Sequence, residues 1–282
     1  MNNMTLTDEA FSSYMRAGKS IAQALKLAKK ISKPGTHMLD LANLLEQTIL
    51  DNGADGWAFP ANISLDEQAA HYSPVIDDDI VLPQKGLLKI DLGAHVNGYV
   101  VDAAITINLG EEEGIINDIV QASQDALYVA IKHFKPGVNV SEIGGFIEDA
   151  ITKYKGIKPI SNLGGHQLKK GNLHAGVFVP NIHRSSSNYE LKEGDQFAIE
   201  PFATDGFGGI KNGKLMTIYR YKGSKHTSGL KKRDILSLRP FKKKFKNFPF
   251  SPRWIDFIPK PQIPRKIKSL YRRGILEGYH VF

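Results

Sequence analysis

Apolar residues recur at helical intervals near the N-terminus, as they do along one face of an amphipathic helix. The pattern predicts a first helix from about Asp8 to Ile31, with Thr7 as its N-cap and Pro34-Gly35 as its stop. It predicts a second helix from about Leu39 to Asp51, which ends at Asn52-Gly53. The first predicted unit is therefore a helical pair.

Turn-rich segments and strands follow this pair. The segment 53–74, GADGWAFPANISLDEQAAHYSP, is rich in turn residues and is predicted to be a loop. Beyond it the pattern predicts a hairpin, two more helices and two further strands. Their approximate ranges are 87–93 and 100–108 for the hairpin, 111–134 and 141–154 for the helices, and 193–204 and 214–223 for the strands.

A weak internal repeat links the two parts of this pattern. QKGLLKID at 84–91 and KEGDQFAIE at 192–200 each contain a turn, then an apolar strand, then a carboxylate. A helix pair precedes each set of strands. The repeat predicts two similar α/β halves that face each other across a central cleft, which is the usual place for a functional site.

The composition changes beyond Gly209. The range 211–282 contains 20 basic and 3 acidic side chains, a net charge of +17, whereas the first 210 residues carry −9. This contrast predicts a main domain over 1–225 and a basic helical subdomain over 226–282. A strongly basic third favours an anionic partner, most commonly nucleic acid, and a solvated basic face has the same composition.

Aromatic residues interleave with the lysines and arginines of this basic third. They are Phe241, Phe245, Phe248, Phe250 and Trp254. The arrangement is typical of proteins that stack nucleic-acid bases while neutralising phosphates. Aromatic residues at helical spacing are equally typical of the core of a small helical subdomain, so the sequence leaves both interpretations open.

The absence of cysteine restricts the chemistry of the chain. Disulfides and thiolate metal ligands are excluded, so any metal must be held by carboxylates and imidazoles. The sequence contains no run of ~18 apolar residues, and its N-terminus lacks the basic and apolar regions of a secretory signal. We therefore expect a cytoplasmic protein without a membrane span.

Two aspartates lie inside the best strand-forming stretch of the chain, KIDLGAHVNGYVVDAA at 89–104. Asn97-Gly98 favours a two-residue hairpin turn, which places Asp102 opposite Gly93 with Asp91 two residues along on the same face. A four-residue loop would place the two aspartates directly opposite each other. Either register separates the carboxylates by roughly 4.5–8 Å. A cation between them would offset the repulsion; the alternative is a pair of exposed aspartates on the wet face.

Two further residues join these aspartates as candidate metal ligands. They are His166, in the glycine-rich LGGHQL, and Glu200, in an apolar setting. Three buried carboxylates without partners would each cost several kcal/mol, and a pair of divalent metal ions is the simplest common explanation. Oxygen-rich sites with one imidazole suit Mn, Fe, Co or Zn. His71 and His174, each taken alone, are typical of surface or hydrogen-bonded core histidines.

Four motifs in this order resemble those of the type II methionine aminopeptidases of archaea and eukaryotes. They are FPANISLDEQAAHYSP, KIDLGAHVNGYVVDAA, GGHQLKKGNLHAG and AIEPFAT. The resemblance implies an α+β pita-bread fold, with two pseudo-symmetric halves around a dinuclear metal site and a helical, winged-helix-like insert. It also implies a monomer that removes the initiator methionine from nascent peptides with a small second residue.

The resemblance assigns a role to each candidate residue. Asp91 would bind one divalent ion, Asp102 would bridge both, and His166 and Glu200 would complete the second. His71 and His174 would hold the scissile peptide and stabilise the tetrahedral intermediate formed by a metal-bound water or hydroxide.

One family feature has no counterpart in this sequence. The family has a fifth ligand, a glutamate in a QFEHT-like strand after the helical insert, and Glu277 in ILEGYHVF does not match that motif. We therefore expect weaker metal binding by Asp91 and an unpaired edge in the second half-sheet. Two hypotheses follow: a truncated methionine aminopeptidase, or a catalytically impaired relative that binds ribosomal or other RNA through residues 211–282.

Overall fold

The computed structural model describes residues 6–110, 114–184, 186–222 and 232–282, and it combines helices with short antiparallel sheets. In chain order the elements are α1 Asp8–Ile31, α2 Met38–Asp51, β1 Gly56–Leu65, β2 Leu87–Val96, β3 Tyr99–Asn108, α3 Ile115–His133, α4 Val140–Ile151, β4 Lys158–Pro159, β5 Gly165–Leu168, β6 Phe178–Val179, β7 Gln196–Ala198, β8 Ala203–Thr204, β9 Met216–Tyr221, α5 Lys232–Phe245, α6 Ile263–Arg272 and β10 Leu276–His280. Within this described part, no helix is long and apolar enough to span a membrane.

The first half is a three-stranded antiparallel sheet in the order β1-β2-β3, covered by α1 and α2. The prediction of a loop over 53–74 was wrong, because residues 56–65 form β1. Pairing with β2 and burial against α2 outweigh the turn-forming character of the segment. Pro60 lies where the register of β1 shifts between Phe59 and Asn62, so the proline occupies an irregularity of the strand.

The second half repeats the scheme with α3 and α4 over two small sheets, β4-β8 and β6-β5-β7. The strand predicted over 193–204 is shorter than expected. It divides into β7 and β8, which join different sheets, and Glu200 and Pro201 lie between them. The predicted start of α3 at 111–113 lies outside the described residues.

The basic third has a core of its own. Phe241, Phe245 and Phe250 are buried together with apolar residues of α6. Phe248 is buried in a different cluster, with residues of the two halves such as Phe59 and Leu168. These phenylalanines are therefore core residues and offer no faces for stacking bases. The strand β10 pairs with β9. The predicted start of the subdomain lies among residues outside the described ranges, and the division at 225 stays a prediction.

A buried ion pair joins the basic third to the first half. The side chains of Glu46 on α2 and Arg253 are only 4% and 6% exposed. The same carboxylate accepts hydrogen bonds from Trp254 Nε1 at 2.8 Å and from the backbone N–H of Ala61 at 2.9 Å. The indole of Trp254 also stacks on Trp57, with ring centroids 4.5 Å apart. Glu46 therefore connects three separate segments of the chain.

Replacing Glu46 with alanine is expected to lower the free energy of unfolding by about 3–5 kcal/mol, because Arg253 would retain a buried charge without its partner. The matched control is Glu277→Ala, which removes a partly exposed ion pair with Arg220 and should cost at most about 1 kcal/mol. Urea unfolding of both variants measures the difference. Equal losses would contradict the role given to Glu46.

Candidate active site

The hairpin adopts the two-residue register. Asn97 and Gly98 have φ values of 51° and 80°, as a type I′ turn requires, and Gly93 pairs with Asp102. Asp91 lies two residues along on the same face, near enough to Asp102 that burial and the charge of Asp102 together raise its pKa. The structure therefore places both carboxylates together on the face that the sequence indicated.

Asp102, His166 and Glu200 converge at one point. Each offers a ligand atom within 4.8 Å of those of the other two. His166 Nε2 lies 3.4 Å from Asp102 Oδ2 and 3.1 Å from Glu200 Oε1. The histidine comes from β5 and the glutamate follows β7, its neighbour. A Cβ at Gly165 would lie 2.2 Å from the carbonyl oxygen of Ala198, so glycine is required where these two strands meet.

The electrostatics of the cluster reflect crowded carboxylates. Burial, followed by the charges of Asp102 and Glu200, raises the pKa of Asp91 well above its ordinary value. Burial also raises the pKa of Glu200, against the opposing effect of His166. For His166, burial alone would lower the pKa, but hydrogen bonds to Asp102 and Glu200 raise it to about 10. The crowded carboxylates therefore favour positive charge at this point, which a proton on His166 supplies here and a bound cation could supply instead.

The donor set fits a divalent metal ion. Asp102 Oδ1 and His166 Nδ1 are buried and have no hydrogen-bond partner among the described residues. Unpartnered buried polar atoms are costly, and a carboxylate oxygen in this setting is a ready ligand. Three carboxylates with one imidazole are donors that Mn, Fe, Co and Zn accept.

His174 and His71 lie beside the cluster. The rings of His166 and His174 are 4.4 Å apart between centroids. Burial, followed by the charge of His166, lowers the pKa of His174 to about 2. Burial lowers the pKa of His71 to about 4. Both imidazoles are therefore neutral near pH 7, so they can act as hydrogen-bond donors and acceptors there.

Aromatic residues that the sequence did not single out enclose these histidines. Phe59 packs edge-on against both rings at 5.8–5.9 Å. Tyr279 also contacts both rings, at 5.3 Å and 5.7 Å between centroids, and its hydroxyl lies 3.4 Å from His174 Nδ1. The ring of Phe282 lies 4.6 Å from that of His71. The only sequence signal for Phe59 was its place in FPANISLDEQAAHYSP, and Tyr279 and Phe282 lay in ILEGYHVF without being singled out.

Glu277 lies outside this constellation. Its carboxylate pairs with Arg220 Nη2 at 2.6 Å, and among the described residues it does not converge with Asp102, His166 and Glu200. This agrees with the sequence argument that Glu277 does not take the place of a ligand.

Comparisons with known proteins agree on one family. The model of metallopeptidase family M24 matches residues 12–224. The methionine aminopeptidase of Pyrococcus abyssi is 40% identical over 268 residues, which cover 95% of this chain and 88% of that protein. The methionine aminopeptidase of Saccharolobus solfataricus is 38% identical over 278 residues, covering 98% and 90%.

Solved structures show the same architecture. A thermophilic Arx1 has a TM-score of 0.80 at 18% identity, covering 98% of this chain and 84% of that one. The methionine aminopeptidase of Thermotoga maritima has a TM-score of 0.67 at 24% identity, covering 74% and 85%. These likenesses confirm the α+β pita-bread fold.

The chain belongs to metallopeptidase family M24, the class that its fold and its carboxylate–histidine cluster define. Within that family, archaeal methionine aminopeptidases are similar to it over nearly the whole chain.

Proposed function

We propose that the protein removes N-terminal methionine from nascent peptides with a small second residue, using divalent metal ions held by its central cluster, in the cytoplasm. The observation that carries the proposal is the convergence of Asp102, His166 and Glu200 beside two neutral, buried histidines. The close archaeal relatives bear the name of this activity.

Four residues would hold the metal ions. Asp102, His166 and Glu200 would form the tighter site, because their ligand atoms already converge. Asp91 would hold the second ion together with Asp102. When bound, divalent ions would supply Lewis acidity that polarises a peptide carbonyl and lowers the pKa of water to near neutrality.

The two remaining histidines would handle the peptide bond in complementary tautomers. His71 Nδ1 lies 3.0 Å from the backbone carbonyl oxygen of His280, which can only accept, so Nδ1 donates and Nε2 is left as an acceptor. Tyr279 has its pKa raised to about 12 by burial, so its hydroxyl stays protonated and can donate to His174 Nδ1. Nε2 of His174 then carries the proton that a developing oxyanion needs.

Metal dependence is the direct test. Protein treated with a chelator and dialysed is expected to lose release of methionine from a Met-Ala-Ser peptide, and Mn, Co, Fe or Zn should restore it. Release of leucine from Leu-Ala-Ser under the same conditions is the substrate control. Methionine release that survives complete removal of metal would overturn the proposal.

The basic third supports a second candidate function, docking to an anionic partner such as ribosomal RNA. In α6 the residues Ile263, Ile267 and Leu270 are buried, whereas Arg265 and Lys268 are exposed on the opposite side. Because the phenylalanines of this part are buried, such docking would rest mainly on charge. An enzyme acting on nascent chains can use such a face without losing its activity.

Reversing this charge is expected to weaken RNA binding. The variant with Arg265→Glu, Lys268→Glu and Arg272→Glu should bind a structured RNA at least about 10-fold more weakly, with a smaller dependence of affinity on salt. The matched control replaces three exposed lysines of α1, Lys26, Lys29 and Lys30, with glutamate. Equal losses in both variants, measured by fluorescence anisotropy at two salt concentrations, would contradict a dedicated surface on α6.

A further inference from the structure

His71 has a backbone conformation that is uncommon for residues other than glycine. Its φ is 70°, in the left-handed region that disfavours side chains with a Cβ. Such conformations cost of order 1–3 kcal/mol and persist only where the surroundings over-determine them. The segment 71–74 should therefore be held by contacts strong enough to impose this geometry.

One such contact comes from Thr217 on β9. Its hydroxyl donates to the backbone carbonyl of His71 at 3.1 Å and accepts from the backbone N–H of Ser73 at 2.9 Å. Thr217 and Ser73 are buried, with 1% and 0% exposure. A single hydroxyl thus ties both sides of Tyr72, whose own carbonyl accepts from the backbone N–H of Ile63 at 2.7 Å.

The second contact comes from Arg253 in the basic third. Its guanidinium donates to the carbonyl oxygen of Pro74 at 3.2 Å and to Ser73 Oγ at 3.3 Å. The group is itself fixed by Glu46, and it also donates to Asn43 Oδ1 at 3.1 Å. Arg253 therefore transfers the rigidity of α2 to the segment that carries His71.

We propose that Thr217 and Arg253 are positioning residues that impose the left-handed conformation of His71 and so aim its imidazole at the metal cluster. The inference rests on the proposed function for its catalytic consequence. Neither residue is one of the converging ligands, and both act through residues 71–74. The basic third would thereby contribute to catalysis in two ways: Arg253 positions the backbone that carries His71, and β10 places Tyr279 beside His174.

Thr217→Val tests the proposal because it keeps the shape of the side chain and removes both hydrogen bonds. We expect kcat for Met-Ala-Ser to fall about 10- to 100-fold with KM changed less than about 3-fold, since a misplacement of about 1 Å can cost this much. Thr217→Ser, which restores the hydroxyl, should return kcat to within about 3-fold of the wild type. The matched control is Thr204→Val on β8, whose hydroxyl bonds only Gly206 N–H among the contacts described.

A second readout separates this inference from the proposed function. The NMR signal of the His71 Cε1–H should shift in Thr217→Val and stay unchanged in Thr217→Ser and Thr204→Val. A shift in a protein that never releases methionine would support the positioning and overturn the proposed function. An unshifted signal would overturn the positioning, whatever happens to kcat. If Thr217→Val does not fold, Arg253→Lys gives the same comparison, because one ammonium keeps the charge against Glu46 but cannot reach both Ser73 and Pro74.

Discussion

Asp102→Ala should reduce the rate of methionine release more than about 100-fold. Removing a residue that only hydrogen-bonds to a metal ligand typically costs about 10- to 100-fold, and removing a ligand itself should cost more. Asp102 is the residue that both proposed metal positions share. Its removal would also take away one of the two carboxylates that raise the pKa of His166. Metal content measured by mass spectrometry should fall in parallel. The matched control is Asp205→Ala, which removes an exposed carboxylate beyond β8.

Two outcomes would contradict the assignment of Asp102 as a metal ligand. Methionine release unchanged in Asp102→Ala would remove the residue from the mechanism. A loss of release with full metal content would assign it to substrate binding instead of the metal site.

His174→Ala is expected to lower kcat about 10²- to 10³-fold, the usual cost of losing one donor to a developing oxyanion. Because His174 lies beside the cluster and is not one of its converging ligands, metal content should stay at the wild-type level. That combination distinguishes it from Asp102→Ala. His183→Ala, at an exposed histidine, is the control and should leave kcat unchanged. A parallel loss of metal in His174→Ala would show that the imidazole is a ligand.

Local chemistry made the hairpin predictable from the sequence. Asn97-Gly98 determines the turn, the turn determines the register, and the register places Asp91 and Asp102 on one face. His166 and Glu200 could be suspected from their settings alone. Their convergence could not be derived from local pattern, because it depends on the pairing of β5 with β7 across about thirty residues.

Long-range contacts explain what the sequence did not predict. β1 looked like a loop because Gly56 and Pro60 disfavour strands, and only pairing with β2 and burial against α2 make it one. The phenylalanines of the basic third suited either stacking or a core, and only the packing around Phe241 and Phe250 decides for the core. Tyr279 is placed at the site by the pairing of β10 with β9, and the sequence pattern did not predict that pairing.

Residues 69–71 and 280–282 meet beside the metal cluster although they are far apart in the sequence, and this separation has a consequence for synthesis. The imidazole of His71 bonds the carbonyl of His280, which lies 209 positions later, and the backbone of Ala69 and Ala70 pairs with Phe282. A polypeptide emerging from the ribosome would make its metal cluster long before it makes these contacts. Contacts between residues so far apart in sequence form late, because the chain loses the entropy of closing a long loop before the contact can stabilise it. The contacts that complete this side of the site would therefore form late in folding.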